Sequence, residues 1–157
     1  MAKDVDGQMS MVTALVRSSF LVDAVYAKAG REYGITPQQG QLLCVLMAQP
    51  YGMSELGGML RLAKSSLTGL VDRSSRLGLV ERRPAPDDGR AVVIALTEAG
   101  ARLADEFYTE TCRRIDLLGA GLDEADRARL ADLLGRVVAD NEVPAIFTDA
   151  GEGADHG

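Results

Sequence analysis

Residues 53–100 read MSELGGMLRLAKSSLTGLVDRSSRLGLVERRPAPDDGRAVVIALTEAG, and the change of period inside this stretch decides the fold. Ser54 can open a short helix, SELGGML, in which Gly57 and Gly58 each cost about 1 kcal/mol relative to Ala, so the helix needs a neighbour to hold it. That neighbour comes after Arg61-Leu62-Ala63 as KSSLTGLVDRSSRLG. There Leu67, Leu70, Val71 and Leu77 form one apolar stripe, Lys64, Ser65, Thr68, Asp72, Arg73 and Arg76 lie largely outside it, and Gly78 fits a C-terminal cap. Two short helices three residues apart, the second carrying hydroxyls and cations, make a helix-turn-helix. The helical period then stops: residues 79–83 read as a strand, PAPDDG as a turn and residues 90–96 as a β-branched strand, which together form a two-stranded wing.

Outward from this centre the pattern is helical. Over residues 9–33, Met9, Val12, Leu15, Val16, Phe20, Val22, Val25 and Tyr26 recur mostly at three- and four-residue steps, predicting a long amphipathic helix that ends at Gly34. Thr36-Pro37 supplies an N-cap and a first-turn proline for a second helix, whose run LLCVLM is apolar enough to be buried and is stopped by Pro50; Tyr51-Gly52 reads as a turn. Thr97 caps a further helix to about Gly119, and Asp123 caps a last one in which Leu130, Leu133, Leu134, Val137 and Val138 keep helical spacing. The fold class is mainly α, a single domain over 1–157. A winged helix-turn-helix lobe spans about 36–97, long N- and C-terminal helices at about 9–34 and 98–140 form a dimerisation lobe, and 148–157 reads as a disordered tail. The dimerisation reading comes from apolar stripes on the terminal helices that are wider than one small lobe can cover.

The chain has 157 residues and a net charge of −6, a poor first sign for a phosphate-binding protein. Residues 61–90 reverse it: seven cations (Arg61, Lys64, Arg73, Arg76, Arg82, Arg83, Arg90) against four acids (Asp72, Glu81, Asp87, Asp88) give +3, so the remainder carries −9. The local field, which steers association, is positive where the helix-turn-helix and wing lie. A helix of about 14 residues is about 21 Å long and fits a major groove, where Lys64, Ser65, Ser66 and Thr68 near its N-terminus meet phosphates or base edges. Arg73 and Arg76 extend that surface. Arg90 projects from the hairpin tip toward a minor groove, with Asp88 expected to hold its side chain by an ion pair.

These residues carry a family resemblance. The short helix, the second helix, the "GLV-R" strand, the wing triplet Asp88-Gly89-Arg90 and the closing Leu96-Thr97-Glu98-Ala99-Gly100 resemble the DNA-binding lobe of MarR-type (multiple antibiotic resistance) regulators, and the likeness extends from about Met9 to Val138. The resemblance implies a homodimeric transcriptional regulator that binds double-stranded DNA at an inverted-repeat operator. Its first and last two helices would pack across a two-fold axis, each second helix of the motif would lie in a major groove, and each wing arginine would reach a minor groove. It also implies repression relieved by a small effector bound between the lobes, or by cysteine oxidation. An activator, an effector-independent DNA binder and, in a different class, a helical adaptor or enzyme without DNA binding are the alternatives. Gly57-Gly58 departs from the pattern, where a stronger helix former is expected.

Arg17, Tyr26 and Gln41 sit on helices that bound the family's pocket and could orient an anionic aromatic ligand. Cys44, inside LLCVLM, reads as a small buried hydrophobe; Cys112 stands beside Arg113, a cation able to lower its pKa. Asp123, Glu124 and Asp126 read as compensation of a helix dipole. Two cysteines 68 residues apart and one tail histidine, His156, do not assemble a tetrahedral metal site, so no metal and no cofactor is expected. No Gly-rich phosphate loop or Ser/His/Asp set is present, and enzymatic chemistry has no evident parts. No uncharged run approaches membrane-spanning length and the first residues are acidic, which places the protein in the cytoplasm with no membrane partner.

Overall fold

The computed structural model describes residues 8–143, so the tail read as disordered lies outside the described residues. Within them the chain forms α1 (Met11–Tyr33), α2 (Pro37–Leu46), β1 (Tyr51–Gly52), α3 (Met53–Leu60), α4 (Lys64–Arg76), β2 (Val80–Pro84), β3 (Val92–Leu96), α5 (Glu98–Leu118) and α6 (Glu124–Ala139). The caps explain the boundaries. The Ser10 hydroxyl accepts the Thr13 N–H to start α1, and Gly34, at φ 72°, ends it in the left-handed region. Thr36 and Gln39 exchange reciprocal bonds to start α2, with Pro37 in its first turn.

The sheet holds one strand more than the two-stranded wing the sequence predicts. The sheet is antiparallel in the order β1-β3-β2, with Tyr51 opposite Ile94 and Gly52 opposite Val93 on one side, and Val80 opposite Leu96 through Pro84 opposite Val92 on the other. Tyr51-Gly52 reads as a turn because two residues show no alternation; the partner strand makes them a strand. Gly52 also takes the capping place expected of Ser54, its N–H donating to Glu55 Oε1 at 3.3 Å, so α3 starts at Met53.

A compact junction joins α4, the wing and α5. At the end of α4 the Leu79 N–H donates to the Ser74 carbonyl at 3.0 Å and the Gly78 N–H to the Ser75 carbonyl at 2.9 Å, with Gly78 at φ 71°. This is a Schellman turn. It places Leu77 beyond the last helical turn, so Leu77 is 54% exposed and leaves the stripe predicted for it, whereas Leu67, Leu70 and Val71 are buried. Thr97 then meets the turn: its hydroxyl donates to the Gly78 carbonyl at 2.5 Å and accepts the Gly100 N–H at 3.0 Å, while its own N–H donates to the Leu79 carbonyl at 3.1 Å. A Cβ on Gly100 would lie 1.8 Å from the Leu79 carbonyl oxygen, so only glycine lets α5 pass at this distance.

A second junction gathers α1, α2 and α5 on the fully buried Phe107. Tyr33 meets its ring edge-on at 5.9 Å and Tyr26 tilted at 6.1 Å. Gly40 makes room on α2, where a Cβ would come within 2.6 Å of the ring. Arg114 bonds Glu32 of α1 and Glu110 of its own helix, and Glu110, held first by Arg113 and then by Arg114, is pushed down to about 2.

α6 differs from the other described helices in having no buried residue. Asp123 caps it by accepting the Asp126 N–H at 2.8 Å, which bears out the reading of that acidic cluster, and Arg127 ties it back to Asp116 and to the Gly119 carbonyl. Leu130, Leu133, Leu134 and Val137 face Met11 and Leu15 of α1 across an open trough of 450 Å³.

Two glycines make a paired test of this packing. Gly100→Ala should lower stability by about 2 kcal/mol or more through overpacking. Gly58→Ala, whose Cβ would meet nothing within 4 Å, should be neutral or raise it by about 0.5–1 kcal/mol. Urea unfolding followed by circular dichroism reads both.

Candidate nucleic-acid interface

The turn between α3 and α4 is tight. Arg61 takes a left-handed conformation at φ 52°, the Leu62 N–H donates to the Gly57 carbonyl at 3.0 Å, and a Cβ on Gly57 would stand 3.4 Å from the Leu62 carbonyl oxygen. A Cβ at that distance makes an ordinary contact, so the approach of the two helices does not require the first glycine of the departure noted in the sequence.

α4 starts at Lys64 after Ala63, which has no side chain to cap it, so the first amide donors point outward among the exposed Lys64, Ser65 and Ser66. Leu67, Leu70, Val71 and Ser74 turn inward, Ser74 donating to the Leu70 carbonyl at 2.9 Å. At three- and four-residue steps on the opposite face lie Ser65, Gly69, Asp72 and Arg76, with exposed Arg73 at the flank. Thr68 is half-buried and its hydroxyl donates to the Lys64 carbonyl at 2.8 Å, which leaves it at the edge of the surface.

The cations divide into two groups. Arg82 pairs with Asp72 at 2.8 Å, bracing β2 against α4, and Arg83 pairs with Glu81 at 2.5 Å and reaches the Leu96 carbonyl. Lys64, Arg73, Arg76 and Arg90 are exposed and have no acidic partner among the described residues. Arg90 stands at the wing tip, but Asp88 does not hold its side chain as expected. Asp88 Oδ1 accepts the Arg90 backbone N–H at 3.0 Å, because a two-residue spacing in a turn favours this local bond, and the guanidinium is left unpaired among the described residues. The structure therefore brings Lys64, Ser65, Ser66 and Arg76 onto one helix, and sets Asp88 and Arg90 apart on the wing.

The suggested effector residues are not gathered in one hollow. Exposed Arg17 lines a 420 Å³ groove with Met9, Phe20 and Leu21 that includes neither Tyr26 nor Gln41. Tyr26 is half-buried against Phe107, its phenol pushed up first by burial and then by the nearby Cys44, Cys112 and Tyr108. Gln41 is exposed on α2. Sequence reasoning missed Arg114, whose Nη1 is buried without a hydrogen-bond partner among the described residues. Its spacing from Glu110 reads as a surface pair, and nothing local announces Glu32. The Cys44 thiol is pushed up to about 12, first by burial and then by Cys112. Beside Cys112, Arg113 is engaged by Glu110. Among the described residues, no helix is long and apolar enough to cross a membrane.

Comparison with known proteins follows the same lines. A sequence profile described as "MarR family" matches residues 33–91. The HTH-type transcriptional regulator FarR of Neisseria gonorrhoeae is 30% identical over 104 residues, which are 66% of this chain and 71% of that protein. The chain belongs to the MarR family. Wild-type MarR from E. coli in its apo form superposes with a TM-score of 0.72 at 25% identity, covering 83% of this chain and 98% of that one. CouR from Rhodococcus jostii RHA1, bound to p-coumaroyl-CoA, superposes with a TM-score of 0.69 at 26% identity over 85% and 95% of the two chains. As a MarR-family protein the chain is a DNA-binding transcriptional regulator and not an enzyme. Its helix-turn-helix is α3–α4 and its wing is the β2–β3 hairpin.

The raised thiol pKa gives a direct test. Cys44 in the folded protein at pH 8 should resist iodoacetamide while the unfolded chain reacts readily, since only the thiolate attacks. Peptide mass spectrometry after timed alkylation reads it.

Proposed function

We propose that this regulator acts in the cytoplasm as a homodimeric repressor of an inverted-repeat operator, released by a small anionic aromatic effector. The observation that carries the DNA contacts is the group of exposed, acid-free cations on α4 and the wing, Lys64, Arg73, Arg76 and Arg90, in a chain whose net charge is −6. Each α4 lies in a major groove, Lys64, Ser65, Ser66 and Thr68 meet phosphates and base edges, and Arg73 and Arg76 follow the backbone. Arg90 enters the minor groove, where narrow width concentrates negative potential. Asp88 shapes the wing tip through its bond to the backbone, away from the phosphates that would repel it.

Dimerisation is supported by α6, which buries nothing, and by α1, where Met11, Val12 and Phe20 are 71%, 66% and 67% exposed. A second copy bringing the same faces would cover both. For the effector, CouR shows a family member holding an aromatic acyl compound. Arg17, Tyr26 and Gln41 remain candidate contacts. Arg114 is a further candidate: Glu32 and Glu110 hold its other nitrogens, while its buried Nη1 has no hydrogen-bond partner among the described residues.

Fluorescence anisotropy on duplex DNA from the chain's own promoter region tests the docking. Arg90→Ala should weaken binding by about 1–3 kcal/mol and flatten its salt dependence, while Lys64→Ala weakens it more evenly across sequences. Unaltered affinity in Arg90→Ala would remove the wing from the interface. In the same titration p-coumarate should release the wild-type protein and fail to release Arg114→Met. In sedimentation at micromolar concentration the wild type should run as a dimer and Leu134→Asp as a monomer.

A further inference from the structure

The C-terminal end of the described chain lies against the DNA-reading motif. Arg61 Nη2 donates to the Glu142 carbonyl at 2.8 Å, and Glu142 and Val143 line a hollow of 400 Å³ with Gly58, Met59 and Arg61. A larger groove of 690 Å³ begins at the same Gly58 and runs between α3 and α4, with Met53, Gly57, Leu62 and Leu67 on its apolar walls and Lys64 at its rim. Gly58, which the packing of α3 does not explain, leaves this groove open, since a side chain there would point into empty space.

Residues 144–157, which follow Val143, read PAIFTDAGEGADHG. Ile146 and Phe147 are their large apolar side chains; Asp149, Glu152 and Asp155 follow, with no Lys or Arg. We propose that this segment docks on the α3–α4 groove of its own protomer, Ile146 and Phe147 entering the groove and the three carboxylates lying beside the exposed cations of α4. The proposal rests on the DNA-binding reading above and adds a competitor to it.

Three arguments favour this occupant. Reach is the first: at about 3.3–3.6 Å per extended residue, Ile146 and Phe147 come about 10–14 Å beyond Val143, which already lines the neighbouring hollow. Length is the second. The six steps from Asp149 to Asp155 extend about 20 Å, close to the rise of α4 at about 1.5 Å for each of its 13 residues. The third is charge, because three carboxylates meet Lys64, Arg73 and Arg76, which have no acidic partner among the described residues. Lys64 both lines the groove and stands at the proposed DNA surface, so a docked tail and a bound duplex compete for it.

The test uses the full chain in three forms: wild type, I146S/F147S and D149N/E152Q/D155N. Without DNA, amide hydrogen exchange over residues 53–67 should be about tenfold faster in I146S/F147S than in the wild type, since a covered groove opens less often. In anisotropy titrations, both variants should bind duplex DNA about fivefold more tightly at about 50 mM salt, and the gap for D149N/E152Q/D155N should close at about 300 mM. Equal exchange in wild type and I146S/F147S overturns the docking, and protection that grows with protein concentration gives the groove to a second copy instead. Altered exchange with unchanged duplex affinity overturns the competition. Loss of duplex binding in all three forms, with the exchange difference intact, overturns the DNA-binding reading and leaves the docking standing.

Discussion

The hydroxyl of Thr97 holds the molecule's working parts in register. It caps α5 through the Gly100 N–H and at the same time grips the Gly78 carbonyl in the turn that ends α4. The wing departs from that turn and returns to Thr97, so α4, β2, β3 and α5 meet within a few residues. The contact is possible only because Gly100 has no side chain against the Leu79 carbonyl. A neutral hydrogen bond is worth about 0.5–1.5 kcal/mol, but this one fixes geometry as well, since it sets where α4 stands relative to α5.

Most of this arrangement is legible in the sequence because it is written in local chemistry. Thr36-Pro37, Gly34, Gly78, Thr97 and Asp123 are capping residues, and each marks a boundary that the structure keeps. The failures are contacts with no local signature. β1 exists because Ile94 and Val93 lie opposite it, Gly52 displaced Ser54 because Glu55 reached back, and Leu77 left its stripe because the helix had already ended. The site shows the same division. That Lys64, Arg76 and Arg90 are exposed follows from helix period and turn position. That Arg82 is spent on Asp72, ten residues away across the turn, or that Arg114 reaches Glu32 from another helix, follows only from the fold.

The charge distribution follows from the same economy of partners. Among the described residues six arginines, Arg82, Arg83, Arg102, Arg113, Arg114 and Arg127, are engaged by nearby carboxylates and contribute little free field. Lys64, Arg73, Arg76 and Arg90 are not so engaged among the described residues, and on the proposed docking they would give an acidic protein a locally positive surface toward phosphate. The apolar residues show a comparable asymmetry: the core around Phe107, Leu42 and Leu43 is closed to solvent, whereas the stripes of α1 and α6 are not.

The brace between Arg82 and Asp72, together with the five-pair ladder of β2 on β3, makes α4 and the wing one stiff body springing from a single turn. Such a body is a caliper with its jaws locked. Docked as proposed, it would have little freedom to adjust its span to an unsuitable duplex, so the adjustment would fall on the DNA, and sequences differ in how much free energy a change of groove width or bend costs them. Discrimination among sites would then reside partly in base pairs that no side chain touches, where flexible pyrimidine–purine steps would yield and rigid tracts would be refused.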